Sequence, residues 1–262
     1  MTEDRTVRRM RIQIRPVRPM SHRPLTGLEH HQVEHLVHHL TSVAPDRPRG
    51  RPWALPLWQR VELTLVHLKT NLTFRELEAL FHVSKTQIHR IVADITRRLA
   101  GLLKPVKVDR RESWIIDGTL VPTRDHTRAE KSKNYRYSTN IQVICRRNDL
   151  TVVTVAPAWP GNRNDAIPAR AELGRLLTQH GRVLADSAYR AVDGCVCPVM
   201  AHGKIVRDEA WVKHRKKRAR VEHLLARLKD WRTLRDHRRK HDSIDHTTRA
   251  VAAIWNLRIL LP

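Results

Sequence analysis

The chain has 262 residues, with 50 Lys or Arg against 26 Asp or Glu and a formal net charge of +24. That length suits one large domain or two small ones, and the positive field favours nucleic acid, ahead of an acidic membrane surface, as partner. No run of about 18 apolar residues is present to span a bilayer, and the Arg-rich N-terminus lacks the apolar core of a secretory signal. Cys145, Cys195 and Cys197 are too few and too unevenly spaced for a disulfide framework or a four-Cys zinc site. A reducing cytoplasm is the expected location. An anionic membrane surface is the weaker reading, because no Lys-rich amphipathic helix has an aromatic face.

The charge is uneven. Residues 1–24 carry seven Arg against two acids, and residues 201–242 carry 15 basic against 6 acidic residues. Residues 113–200, with 12 basic and 8 acidic residues, are closer to neutral. A middle with spare carboxylates between anion-attracting arms is where chemistry on a phosphate backbone could sit.

Residues 1–24 have no periodicity and read as a disordered basic tail. Within it, Met20 is an alternative natural start. A helix is predicted over about 28–42, from Val33, Leu36, Val37 and Leu40 at helical spacing. His31, His35, His38 and His39 lie on its other side, without an acidic or Cys partner beside them, and read as a solvated face rather than a zinc site. The linker DRPRGRPW (46–53) follows. Its Arg49 and Arg51, between prolines, resemble an AT-hook for the minor groove, although a linker that touches phosphates has the same composition.

Three helices are expected next. WQRVELTLVHLK (58–69) has Trp58, Val61, Leu65 and Leu68 on one side. Thr73 with Glu76, then Ser84 with Gln87, are two capping boxes in succession. With a turn of two or three residues between them, they predict a helix-turn-helix. Ala79, Leu80, Val83, Ile88 and Ile91 are its expected core. Lys85, Thr86, Gln87, His89 and Arg90 are its expected major-groove face. The usual turn glycine is missing, with Val83 near its place. A plain packing hairpin is the alternative.

From residue 113 the pattern changes. SWIIDG (113–118) reads as a short buried strand ending in an acid. STNIQVICR (138–146) and LTVVTVAPAW (150–159) read as strands joined by a hairpin-like turn. DAIPARAELGRLLTQH is expected to be a helix, GRVLADSAY a strand, and 208–240 and 244–260 helical. The order predicts an α/β layer with three antiparallel strands before the first crossover. Asp117 and Asp186 then stand at strand ends and project toward one point, where a third acid from a later helix can complete a hard-oxygen site for Mg²⁺ or Mn²⁺. Two such ions suit phosphodiester chemistry.

The pieces WIIDGTLVPT, AWPGNRNDA, VLADSAYR and RVEHLLARLKDWRTLRDHRR, with LTFRELEALFHVSKTQIHRIV upstream, resemble a DDE-type transposase of a bacterial insertion sequence. The group is the one related to the PIF/Harbinger elements. The likeness runs in order from about residue 25 to the end. It implies a helix-turn-helix region over 25–108, an RNase H-like DDE domain over 109–262, and catalytic acids at Asp117, Asp186 and Glu222. Bacterial relatives carry Tyr, two residues, Arg, three residues, Glu, six residues, Lys. Arg218, Glu222 and Lys229 match it, with Arg218 and Lys229 expected on phosphates, whereas position 215 is Arg instead of Tyr. Asp165 is a rival second acid. It precedes a helix and suits its N-cap, so Asp186 is preferred and Asp165 is kept as auxiliary.

The resemblance further implies double-stranded DNA as partner (element ends and target), bacterial nucleoid association and Mg²⁺-dependent cleavage with strand transfer. A homodimer is expected because transposition processes two ends together. A DNA-binding protein without catalysis and a nuclease that cuts without joining are the rivals. An ordinary i, i+4 pair with Arg218 would contribute only about 0.5 kcal/mol. That is a weak reason for a lone Glu222 among so many cations.

Overall fold

A computed structural model describes residues 23–43, 52–104, 107–133 and 136–261. The expected basic tail at 1–22 and both arginines of the AT-hook-like linker, Arg49 and Arg51, lie outside the described residues. The described residues begin with five helices: α1 (Arg23–Thr26), α2 (His30–Val43), α3 (Leu57–Thr70), α4 (Phe74–Phe81) and α5 (Lys85–Gly101). β1 (Trp114–Pro122), β2 (Glu130–Lys131), β3 (Tyr137–Arg146), β4 (Val152–Val155) and β5 (Trp159–Pro160) follow. After α6 (Ala166–Pro168) and α7 (Gly174–His180) come β6 (Val183–Leu184), β7 (Cys195–Val196), β8 (Met200–Ala201) and β9 (Lys204–Ile205). The chain closes with α8 (Glu209–Leu228) and α9 (Ser243–Leu260).

The helix-turn-helix region is built from its caps. Thr73 forms both halves of a capping box with Glu76. Ser84 accepts from the Gln87 N–H at 3.4 Å, without a return bond from the Gln87 side chain. In the missing glycine's stead, His82 adopts the left-handed conformation (φ 53°) that closes α4, a geometry a non-glycine residue adopts at some cost. Leu77, Ile88 and Ile91 are buried as a helical pair requires. Ala79 and Leu80 are exposed, contrary to the sequence expectation, because α4 has only eight residues and buries one side through Leu77.

The main sheet is mixed, ordered β2-β3-β1-β6-β7, with β4 and β5 also paired to β3. β1 runs antiparallel to β3 over nine paired positions and parallel to β6. Alternation along β1 and β3 sorts side chains between two cores. Ile115, Val121, Ile141, Val143 and Cys145 join the α5, α8 and α9 side, and Trp114, Ile116 and Ile144 join the α7 side. The first of these cores also contains Leu36, Leu65, Ile88 and Ile95, so one apolar cluster continues from the N-terminal helices through α9 to the sheet.

Several elements are shorter than their patterns suggest. The expected strand 150–159 divides into β4 and β5, and the expected helix 208–240 ends at Leu228, followed by a single 3₁₀ turn at Arg232–Leu234. The helix expected after Asp165 is interrupted by a π turn at Ala169–Leu173. Among the described residues no helix is long and apolar enough to cross a membrane.

Asn71 Nδ2 donates to the Asp236 carbonyl at 2.9 Å and Thr233 Oγ1 to the Leu68 carbonyl at 3.0 Å, tying the helical region to the segment before α9, and two buried histidines lie at this seam. His67 of α3 contacts the Leu72 carbonyl at 3.0 Å, and His237 contacts Ser243 Oγ at 3.0 Å. Burial lowers their pKa values to about 4 and about 3. Both therefore stay neutral in the fold while the unfolded chain takes up protons below about pH 6.5. Their contribution is complete above that pH and is lost as pH falls toward 4, by about 1.4 kcal/mol per pH unit for each fully titrating group. Urea unfolding at pH 7 and pH 5 should show this decline, and the double variant His67→Gln/His237→Gln should flatten it. An equally steep decline in the variant contradicts the assignment.

Candidate active site

Asp117 is the fourth residue of β1, not its last: the strand continues through Thr119 and Val121 to Pro122. Those residues keep the alternation going past Gly118. Asp117 pairs with Val143 across the β1–β3 ladder and shares its face, the face covered by Val221, Leu224 and Leu228 of α8. From that helix Arg218 Nη2 reaches Asp117 Oδ2 at 3.1 Å, with both side chains largely buried. The Gly118 N–H donates to Asp117 Oδ1 at 2.9 Å. Burial raises the Asp117 pKa to about 6, against the opposing pull of Arg218 and the Gly118 N–H, and the charges of Asp186 and Asp165 push it the same way as burial.

Asp186 arrives from the neighbouring strand. Ile115 of β1 is in register with Leu184 of β6, and Asp186 follows two residues later, close enough for its charge to raise the Asp117 pKa. The strands are about 4.8 Å apart. Val183 and Ala185 belong to the α7-side core while Leu184 packs on the other, which puts Asp186 on the Asp117 face. Its Oδ1 also accepts from the Ala188 N–H at 2.8 Å and caps the 3₁₀ turn Ser187–Tyr189. Positioning and capping coexist in this carboxylate. His214 of α8 contacts the Ala185 carbonyl at 2.9 Å and fixes the helix against this strand end.

Asp165 takes the opposite face. Asn140 Nδ2 and Gln142 Nε2 donate to its Oδ1 at 2.8 and 2.9 Å, and the Tyr189 hydroxyl donates to Gln142 Oε1. Gln142 pairs with Gly118, and the space a Gly118 Cβ would need is filled by Asp165 Oδ1 and by Gln142 Nε2 at 2.7 Å. The expected N-cap role is not seen. Asp165 makes no side-chain cap bond, and Asn164 Oδ1 receives the Ala166 N–H at 3.0 Å. The polar network of Asn140, Gln142 and Tyr189 was missed from sequence. Its signal is two amides at alternate positions of an otherwise β-branched strand, STNIQVICR.

Glu222 lies one turn beyond Arg218 on α8 and is exposed. Among the described residues no three His, Cys, Asp or Glu side chains converge closely enough to hold an ion. The structure thus brings Asp117 and Asp186 together, with Arg218 on the first of them, and leaves Glu222 outside the pair. As donors, two carboxylates close together on one face are the oxygen chemistry a hard divalent cation takes, and Arg218 now occupies one of those oxygens. Arg215, at the position where relatives carry Tyr, lies over Trp211 at 5.5 Å. Lys229 is half-buried, and burial and Arg235 lower its pKa. On α5, Lys85, Thr86, His89 and Arg90 are exposed and Gln87 is half-buried. Arg90 stacks over Trp53 at 5.6 Å.

Comparison with known proteins gives two family matches in this chain. Residues 53–105 match the helix-turn-helix of DDE superfamily endonuclease, and residues 116–256 match DDE superfamily endonuclease. A relative from Streptomyces albus G, named as the candidate transposase for insertion sequence element IS112, is 41% identical over 248 residues. The match covers 90% of this chain and 94% of the relative.

The packing of Gly118 on Asp165 predicts that Gly118→Ala displaces that carboxylate and lowers stability by about 1–3 kcal/mol. Removing the obstacle with Asp165→Ala in the same chain should recover part of the loss. Denaturant midpoints of the two single variants and the double variant decide this, and strictly additive losses contradict the steric account.

Proposed function

Since this chain belongs to the DDE transposases of insertion sequences and carries their helix-turn-helix, we propose that it binds the terminal inverted repeats of its element and cuts and joins DNA at Asp117, Asp186 and Glu222. The observation that carries this reading is the placement of Asp117 and Asp186 on one face of adjoining strands, beneath a helix that supplies Arg218 and then Glu222. The mixed sheet with helices on both faces is read as an RNase H-like core over 109–262, preceded by a DNA-binding region over 25–108.

In this reading Asp117, Asp186 and Glu222 would hold two Mg²⁺ or Mn²⁺. Such ions, when bound, supply activation of the attacking oxygen and stabilisation of the leaving one. The chain's own residues do the remainder. Arg218 balances the buried Asp117 charge until the site is loaded, and must release that carboxylate for Glu222, one turn further along α8, to join it. Once released, its guanidinium is free to hold a phosphate oxygen beside the scissile bond, as Lys229 does from the end of the helix. Asp165 acts as the auxiliary acid by fixing Asn140 and Gln142 behind β1. Water opens the element's end, and the freed 3′-hydroxyl then attacks target DNA, with no covalent enzyme intermediate. Lys85, Thr86, Gln87, His89 and Arg90 enter the major groove from α5, and Arg49 and Arg51, outside the described residues, reach the DNA from the linker. A homodimer is proposed because two ends are processed together.

Asp117→Ala and Glu222→Ala should each abolish Mg²⁺-dependent cleavage of the element's ends while leaving DNA binding intact. Normal cleavage by either variant sinks the assignment. A strand-transfer assay separates transposition from nuclease action alone. Released ends without joined product would favour the nuclease.

A further inference from the structure

Trp53, the first residue of the helix-turn-helix match, is half-buried and packs against the core shared by the N-terminal helices. Two guanidinium groups lie over its ring, Arg60 at 4.9 Å and Arg90 at 5.6 Å from the centroid. Their situations differ. Arg60, on α3, is 1% exposed, donates from Nε to the Leu55 carbonyl at 3.1 Å and lies 3.7 Å from Asp94. It ties the ring to the fold. Arg90, on α5, is exposed. Asp94, one turn further along α5, is held by Arg98 at 3.0 Å. The Arg90 guanidinium has no hydrogen-bond or carboxylate partner among the described residues and rests on the Trp53 ring.

Stacking engages the face of a guanidinium and leaves its donors free, because they lie in the plane of the group. An arginine side chain loses rotamer freedom when its fork binds, and the Trp53 ring imposes part of that ordering beforehand. The direction of the fork follows from α5. Ile88, Ile91, Val92 and Ile95 are buried on one side of the helix, and at about 3.6 residues per turn Arg90 falls on the opposite side. It is the sixth residue of α5, within the N-terminal part that meets base edges when such a helix enters a major groove. A rigid fork there matches guanine, whose O6 and N7 accept two N–H bonds together. Lys85, Thr86 and His89, exposed on the same helix, offer no such fork.

We propose that Arg90 reads a guanine in the major groove and that Trp53 is its positioning residue. The proposal rests on the reading above in taking α5 as the helix that enters the groove, and adds which base is read and what holds the reader. It does not depend on the catalytic acids.

The test uses the full chain and a library of DNA duplexes randomised in sequence. Sequencing the bound and unbound fractions gives the base preference at each position of the site. The wild type should prefer guanine at one position by roughly 5- to 150-fold, the range of a bidentate contact. Arg90→Lys, which keeps the charge, should erase that preference and leave the others. Trp53→Ala should lower the same preference, add nothing further in an Arg90→Lys background, and be largely rescued by Trp53→Phe. If Arg90→Ala weakens all sequences equally, the guanidinium holds a phosphate and the proposal is overturned. A wild type without a guanine preference also overturns it. Losses from Trp53→Ala that persist undiminished in the Arg90→Lys background give the ring a role in folding alone and overturn its positioning role. If Lys85→Ala and His89→Ala change preferences while Arg90→Lys changes none, α5 still enters the groove and the proposal fails. If none of the three changes any preference, the reading of α5 fails with it.

Discussion

The antiparallel ladder between Trp114–Pro122 and Tyr137–Arg146 is the constraint on which the site depends. Its register places Asp117 opposite Val143 and Gly118 opposite Gln142, and a strand's period of two sends those pairs to opposite faces. One face receives the helix that carries Arg218 and Glu222. The other receives Asp165, seated where Gly118 leaves room. A slip of one residue would exchange these environments, placing the Asp117 carboxylate among Asn140, Gln142 and Tyr189 and exposing the helix side to glycine. The apolar residues on both faces of β1, Ile115 and Val121 on one side and Trp114 and Ile116 on the other, hold that register.

Electrostatics then separate the acids. Asp117 is buried and pays a desolvation cost that Arg218 offsets only in part, so its pKa remains raised. Asp186 has a backbone N–H as partner, and Asp165 has two side-chain amides. Asp117 and the two carboxylates close enough for their charges to act on it, Asp186 and Asp165, thus have three different partners. Only the one paired with a cation has a partner that can leave for another anion. This is the physical basis for treating the Arg218–Asp117 contact as a resting arrangement, with DNA phosphates as the alternative home for the guanidinium.

Much of this arrangement was legible in the sequence, and the exceptions share a cause. The capping pairs Thr73–Glu76 and Ser84–Gln87 located α4 and α5. Asp117 and Asp186 were recognisable as acids that follow short apolar runs, Asp117 within β1 and Asp186 two residues past β6. Asp165 was misread as a helix cap because its actual partners, Asn140 and Gln142, are more than twenty residues away and pair with it only once β3 lies beside β1. Asp117 was read as the strand's end for a related reason, since nothing local reveals that another residue's side chain occupies the missing Cβ of Gly118. Just past the end of α8 the fully buried Trp231 lies against Gly27 and Lys69, partners that no local pattern announces.

In the proposed cation site Asp186, on the Asp117 face, is a ligand, and Asp165, behind the sheet, is not. Thermal unfolding of the full chain with and without Mn²⁺ tests it most directly, comparing wild type with Asp186→Ala and Asp165→Ala. A cation that binds only the folded chain raises the unfolding temperature. The account predicts that this rise disappears in Asp186→Ala and persists in Asp165→Ala. The reverse pattern would contradict it.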